Sequence, residues 1–330
     1  MIEQFGRLDF PRFSVSQKAR ARGIIIDELQ KAGYEAVALN DRTRNRTGLM
    51  RDNFNVVTKC EYPEYIVSAH YDTAGNIRLK PLDKLLKRLA VYDIRTFNLF
   101  LALLAITLYK ISDIIVFNFN RNIDTFSHII TCLISLVLMV PLFKVNLRPA
   151  AMFDDNTSGV VGALALARKF KAAGYRNVQF VFFDNEENGR HGSRAFAARI
   201  KNDPAYSGVR VINLDCIGRG EKLYIEYEKK FADKLGEFKL LDEVRERNTQ
   251  RKFPMVLSST SDCRQFMELG IEALTLIRYD ETVFMGRRQH DISWIHTFDD
   301  VLEKIDSARL EEVVTVVEVF FMSAGRTAVR

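Results

Sequence analysis

Apolar residues recur along the chain in two alternating rhythms. Short runs rich in β-branched and aromatic residues occur at 65–69 (YIVSA), 178–183 (VQFVFF), 209–214 (VRVINL) and 272–277. Runs of this length and content predict strands buried on both faces. Between them, helical spacing predicts a helix at 16–33, with Ile24, Ile25, Ile26 and Leu29 as its stripe, and another at 160–172. A charged, exposed helix is predicted at 228–247 and an amphipathic one at 301–324. Strands separated by helices predict an α/β fold with a mostly parallel, mixed central sheet flanked by helices.

One stretch breaks this rhythm. Residues 96–109 (TFNLFLALLAITLY) and 125–143 (TFSHIITCLISLVLMVPLF) are strongly apolar and carry no Asp, Glu, Lys or Arg. A bilayer core needs about 20 apolar residues per helix, so the second run qualifies and the first, extended to about 118, is marginal. Residues 80–150 are therefore read as an inserted, transmembrane-like helical hairpin with helices at about 96–118 and 125–143, dividing a domain formed by 1–79 and 151–330. The alternative is a soluble hairpin that packs a subunit interface, and either form offers a surface for a homo-oligomer. Lys80, Lys84, Lys87, Arg88 and Arg95 precede it and Lys144 and Arg148 follow it, whereas its connecting loop carries Arg121 offset by Asp124. By the positive-inside rule this charge places both flanks on the cytoplasmic side. The expectation is an integral membrane protein contacting lipid through residues 96–143.

Composition alters the picture only at its edges. A net charge of +6 over 330 residues is too mild to point to nucleic acid. The four cysteines (60, 132, 216, 263) form no CxxC pair and read as reduced structural thiols. No stretch near the N-terminus has the apolar length of a secretory signal.

In sheets of this kind chemistry collects at the carboxyl ends of strands. There the chain places His70-Tyr71-Asp72, Asp184-Asn185-Glu186-Glu187 and Asp215, while Asp154-Asp155-Asn156 opens a helix and His296-Thr297 precedes the last one. Singly, each has an ordinary reading as a strand-end histidine, a turn aspartate or a helix cap. Together they supply two imidazoles and several carboxylates, a ligand set for a divalent ion such as Zn2+, and two ions sharing one carboxylate would use five protein ligands. His70 and Asp72, two apart, can share one side, where Asp72 would steady the imidazole. In Glu186-Glu187 one carboxylate can bind metal while its neighbour handles protons. His191 and His290 are expected at the surface or beside the site, not on a metal.

The motifs SAHYDT, DDNTSG, DNEENGRHGS, NLD and HT resemble the co-catalytic zinc exopeptidases of metallopeptidase family 28. That family includes leucyl aminopeptidases, glutamate carboxypeptidases and glutaminyl cyclases. SDCRQFMELGIEALTL is also similar, with Cys263 where a His is common. The resemblance covers about 15–75 and 150–325. It implies a zinc-exopeptidase fold holding two Zn2+ per chain, with Co2+ or Mn2+ as substitutes. His70 and Asp215 would bind one ion, Glu187 and His296 the other, and Asp155 would bridge both. It further implies a cis peptide at Asp155–Asn156, Glu186 as general base and Asp72 as the partner of His70.

The implied activity is removal of residues from peptides, in the first place from the N-terminus. A carboxypeptidase or dipeptidase, a single-zinc glutaminyl-cyclase-like acyltransferase and an inactive scaffold are the alternatives. For substrate binding, RYDETVFMGRRQHDISW offers both signs of charge, Asp280 and Glu281 against Arg287 and Arg288, unless it is simply a flexible surface loop.

Overall fold

The computed structural model describes residues 2–44, 50–74, 78–79, 106–107, 110, 145–146, 151–235, 238–248, 255–256, 261–284, 287–291, 294–297 and 299–325. The chain divides into two compact units, residues 1–74 with 149–330, and residues 75–148.

The larger unit begins with helices α1 (Ile2–Arg7) and α2 (Val15–Lys31), hairpin strands β1 (Ala36–Arg44) and β2 (Met50–Thr58), and β3 (Tyr65–His70). In the smaller unit β4 (Arg78–Leu79) pairs antiparallel with β5 (Val145–Asn146). The larger unit resumes with a wide irregular turn (Phe153–Ser158), α3 (Gly159–Ala173), β6 (Val178–Phe183), α4 (His191–Ile200), β7 (Arg210–Leu214) and β8 (Lys222–Glu226). It ends with α5 (Lys229–Leu235), α6 (Lys239–Arg247), β9 (Met255–Val256), α7 (Cys263–Met267), β10 (Ala273–Phe284), β11 (Arg287–Asp291) and α8 (Ser307–Gly325).

Of the apolar runs at 96–118 and 125–143, Ile106, Thr107 and Lys110 are described and helical; the rest lie outside the described residues. Among the described residues no helix is long and apolar enough to cross a membrane.

Among the described residues nine strands form one mixed sheet in the order β1-β2-β6-β3-β7-β10-β8-β9, with β11 paired to β10. The inner strands β6, β3, β7 and β10 run parallel, while β2 meets β6 and β8 meets β10 antiparallel. Every residue of β3 and β6 is buried, as expected of apolar runs covered on both faces. From β3 the chain passes next to β6 on one side and later to β7 on the other. Such a switch in strand order opens a crevice at the carboxyl ends, and His70, Asp184 and Asp215 lie at those ends.

Aromatic packing holds the strands from both sides. On one face Tyr65 and Phe180 of the sheet meet Phe170 of α3 and Phe320 and Phe321 of α8, with Phe170–Phe321 centroids 4.7 Å apart. On the other, Phe183 meets Phe196 of α4 and Phe266 of α7 at 5.9 and 5.8 Å. Each such ring buried contributes roughly 1.5–3 kcal/mol, so the strand ends stand on a rigid base. Helix α2 starts at a capping box, Ser14 with Gln17, and buries Ala21, Ile25 and Leu29 at four-residue spacing. Cys60, Cys216 and Cys263 are free thiols.

Three expected elements differ in detail. The charged helix at 228–247 is two helices, and α6 buries Leu240, Leu241 and Val244; three apolar residues close together give a charged helix an inward face. The last helix starts at Ser307 because the Asp306 carboxylate accepts the Ala308 N–H at 2.9 Å and caps it. The segment considered as a surface loop is the β10–β11 hairpin, registered from Asp280↔Asp291 to Phe284↔Arg287.

Candidate metal centre

Five segments distant in sequence converge at the carboxyl ends of β3, β6 and β7. His70 is the last residue of β3, and Asp215 directly follows β7. Nε2 of His70 lies 3.2 Å from Asp155 Oδ1 and 3.6 Å from Asp215 Oδ1. The other oxygen of Asp155 lies 2.8 Å from His296 Nε2, which is 2.9 Å from Glu187 Oε2. Two triads result, His70/Asp155/Asp215 and Asp155/Glu187/His296, and the ligand atoms of each lie within 4.8 Å of one another. Asp155 belongs to both.

The turn that presents Asp155 is held against the end of β7. Its Asp155–Asn156 peptide is cis, as the resemblance implies. Asn156 donates to the Leu214 carbonyl at 2.9 Å, and its Oδ1 accepts from Gly159 N at 3.0 Å and Cys216 N at 3.2 Å. Ser158 Oγ accepts from Ile217 N at 2.9 Å. A β-carbon on Gly159 would stand 2.4 Å from the Leu214 carbonyl oxygen, so only glycine permits this approach.

Beneath the turn lies Arg12, fully buried. It donates to the carbonyls of Tyr71 at 2.6 Å, Leu8 at 3.0 Å and Met152 at 3.4 Å, and to Thr157 Oγ1 at 2.8 Å. One side chain thus ties the N-terminal segment, the residues after β3 and the turn together. Burial lowers its pKa to about 10, with Asp72 and Asp300 opposing, so it stays charged at neutral pH.

Asp72 serves the third segment. Its carboxylate accepts the backbone N–H of Glu186 at 3.0 Å and of Glu187 at 3.3 Å. Its Oδ1 lies 3.5 Å from His70 Nδ1, which makes no hydrogen bond; Asp72 is therefore a charge beside the imidazole and a clamp on the Glu186–Glu187 backbone. Lys18 supports the same segment from α2, pairing with Asp184 at 2.7 Å and donating to Asn185 at 2.8 Å.

The electrostatics follow from packing carboxylates out of water. Burial opposes charge on His70, but Asp155, Asp215 and Asp72 outweigh it and push its pKa well above the usual imidazole range. For His296 burial is likewise overcome, by Glu187 and Asp155, and the pKa rises to about 10. Burial alone would raise Asp155, yet His296 and His70 hold it far below the ordinary carboxylate range. Burial raises Glu187 and, to a greater extent, Glu186. The cluster thus demands positive charge between its carboxylates. Glu187 Oε1 is buried with no hydrogen-bond partner, and imidazole with carboxylate is the donor set of zinc. The residues fit divalent cations.

Asp262, which strand-end reasoning does not reach, is also buried here. Burial raises its pKa to about 7, with His70 and the Ser193 hydroxyl opposing. Its neighbour Ser261 donates to Asp215 Oδ2 at 2.7 Å. A signal existed in SDCRQF, where an acid stands between small polar residues and the apolar end of α7. Asp280 belongs to neither triad, and its Oδ1 accepts from Glu221 N at 2.8 Å. Arg287 and Arg288 lie on β11, their side chains outside the described residues. His290 is exposed and stacks on Tyr279, 5.1 Å between centroids. His191 is buried, with Nδ1 3.4 Å from Thr43 Oγ1; neither belongs to a triad.

A sequence model of peptidase family M28 matches residues 145–321. No curated protein sequence matches the chain. Among solved structures the chain is similar to a glutaminyl cyclase of Porphyromonas gingivalis, at 16% identity over 98% of this chain and 95% of that one, with a TM-score of 0.62. It is similar to a Zn-dependent exopeptidase from Parabacteroides distasonis, at 16% identity over 97% and 94%, TM-score 0.60. A leucine aminopeptidase precursor from Bacteroides thetaiotaomicron aligns at 15% identity over 97% and 93%, TM-score 0.59. At these identities the likeness establishes a shared fold.

Proposed function

This chain belongs to peptidase family M28, and on that footing we propose that it is a two-cation aminopeptidase that removes N-terminal residues from short peptides. Membership makes it a metallo-exopeptidase; the end of the peptide attacked and the number of cations are our reading. One observation carries it: two complete triads meet at a shared Asp155, with Glu186 beside Glu187 on the same clamped turn.

In this reading His70, Asp155 and Asp215 would hold one Zn2+ and Asp155, Glu187 and His296 the other. When bound, the pair supplies Lewis-acid polarisation of the scissile carbonyl and a water of lowered pKa. Glu186 is the residue that would take a proton from the attacking water and return it to the departing amine, so that water would be added across the amide with no net proton change. Asp72 keeps Glu186 in place through its backbone N–H, and Arg12 keeps the Asp155 turn against the residues after β3.

The test is a mixed peptide library incubated with the zinc-loaded full chain, read by mass spectrometry beside Glu186→Gln. The reading expects wild-type protein alone to shorten peptides by single N-terminal residues. Trimming from the other end would make it a carboxypeptidase and turn attention to Arg287 and Arg288. N-terminal cyclisation without shortening would make it a glutaminyl-cyclase-like acyltransferase, the chemistry named for one structural neighbour.

The reading extends to the insertion, on sequence grounds. Residues 96–143 lie in a bilayer as a two-span anchor, with the positively charged flanks and the peptidase unit on the cytoplasmic side. An even number of spans keeps His70 and Asp155 on one side, as one site requires. Protease-protection mapping that found the N-terminus outside would overturn that orientation.

A further inference from the structure

His296 and Asp155 reach the same triad from segments that share no strand or helix. His296 lies on the stretch before α8, in a left-handed backbone conformation (φ 58°) that a non-glycine residue adopts only when its surroundings impose it. Asp155 lies on the irregular turn before α3, which is entered through Met152, also left-handed (φ 48°). Each segment ends in a buried carboxylate that binds the other segment.

From the turn, Asp154 accepts the indole N–H of Trp294 at 2.7 Å through Oδ2. Its Oδ1 accepts Gly218 N at 2.8 Å and lies 3.3 Å from the Ser158 hydroxyl. From the other side, Asp300 gathers three successive backbone N–H groups of the turn: Phe153 at 3.0 Å and Asp154 at 2.6 Å on Oδ1, Asp155 at 3.1 Å on Oδ2. Trp294 and Asp300 bracket His296, two residues before it and four after. Arg219 seals the outside, stacking 4.5 Å over the Trp294 ring while donating to the Asp299 carbonyl at 2.8 Å and its carboxylate at 3.1 Å.

We propose that Trp294 and Asp154 form a positioning pair that fixes the His296 segment against the Asp155 turn and thereby sets the cation affinity of the Asp155/Glu187/His296 triad, with Asp300 as the reciprocal clamp. The proposal rests on the two-cation reading above and adds residues that touch neither cation nor substrate. His70 and Asp215 stand on strand ends that the sheet already orders, so loss of the Trp294–Asp154 bond is felt by one triad only. Loss of the Asp300 clamp is felt by both, because it holds the backbone of the shared Asp155.

The test uses the full chain stripped of metal. It is titrated with Co2+, followed by visible absorption, and with Zn2+ against a chromophoric chelator. His296→Ala identifies the binding step that belongs to its triad. In Trp294→Phe, which keeps a ring under Arg219, that step weakens about 10–100-fold, the range for loss of a group that orients a ligand, and its Co2+ spectrum changes; the other step stays at its wild-type value. Asp154→Ala, which removes the acceptor of that bond, gives a loss at the same step, while Asp300→Asn weakens both steps. Unchanged steps in Trp294→Phe and Asp154→Ala, or equal weakening of both steps in step with a lower Tm of the metal-free chain, overturn the proposal while leaving the two-cation reading intact. A wild-type chain that binds no cation overturns that reading, and the proposal with it.

Discussion

The two triads at the head of the sheet are built in different ways. His70 and Asp215 belong to neighbouring parallel strands, β3 and β7, and register pins their backbones from Tyr65↔Arg210 to Ser68↔Asn213. Glu187 and His296 stand on segments without such pairing, and the His296 side chain keeps 26% of its surface exposed where that of His70 keeps 1%. The first triad inherits its geometry from a buried sheet. The second has to be fastened side chain by side chain, by Asp72 under Glu187 and by the Trp294–Asp154 and Asp300 contacts around His296. In this fold, hydrogen-bonded carboxylates do for a loop ligand what strand pairing does for a strand ligand.

The largest expected effect erases the distinction. Asp155→Ala removes the residue common to both triads and should abolish zinc binding at both positions and activity with it, as elemental analysis and a peptide assay would read. Glu186→Gln separates chemistry from assembly: zinc content stays at the wild-type value while turnover falls by about 10²–10⁴-fold, the usual contribution of a general base. Wild-type turnover in that variant would exclude Glu186 from the proton path.

Asp72→Ala sharpens the comparison, because Asp72 serves both triads by different means. Beside His70 it offers only a charge at 3.5 Å, whereas it holds the Glu186 and Glu187 backbone by two hydrogen bonds. The Glu187 position should therefore lose the more zinc affinity, within the roughly 10–100-fold range of such partners. A loss confined to the His70 position would reverse that reading of Asp72.

Arg12→Met probes the floor beneath both. Four buried acceptors lose a donor; the Leu8 and Met152 carbonyls keep another, from Phe10 N and Thr157 Oγ1, while the Tyr71 carbonyl and Thr157 Oγ1 lose theirs at a cost of roughly 1–3 kcal/mol each, so a large drop in Tm is expected in thermal unfolding.

The smallest effect lies far from the site, where Glu28 accepts from Gln4 and pairs with Arg7 and Arg168 to dock α2 on α1 and α3. Burial raises its pKa, but Gln4, Arg7, Lys31 and Arg168 outweigh it and bring it below the ordinary value of 4.5. Its contribution, about 0.5–1 kcal/mol for a pair of this kind, is complete above pH 4.5 and is lost as pH falls through the lowered value. Glu28→Gln should flatten that acid limb of the stability curve and leave neutral-pH activity alone.

How much of this was legible in the sequence depended on how local each signal was. The inner strands announced themselves because a strand buried on both faces must be apolar throughout. The chemistry at their ends was visible as the polar residues that interrupt each run. β1 and β2 escaped notice because an edge hairpin keeps charges such as Arg42 and Asp52 in water and so breaks the apolar pattern. The β10–β11 hairpin was hidden for the same reason, and the buried stripe of α6 by its abundant charge. Arg12 and Asp300 could not be read as site residues at all: an arginine near the N-terminus and an aspartate before the last helix acquire meaning only from contacts up to 147 residues away. Asp155 was named as the shared carboxylate through the resemblance and belongs to both triads, whereas the bond of its neighbour Asp154 to Trp294, 140 residues away, had no local signal.

The central claim is that Asp155 is shared by two cations. The zinc content of the full chain, purified in zinc-containing buffer, desalted and measured by elemental mass spectrometry against protein concentration, addresses it most directly. The account predicts two zinc ions per chain, falling to one in His296→Ala and to none in Asp155→Ala. One zinc per wild-type chain, unchanged by loss of either His70 or Asp215, would contradict it and leave a single-cation site on Asp155, Glu187 and His296.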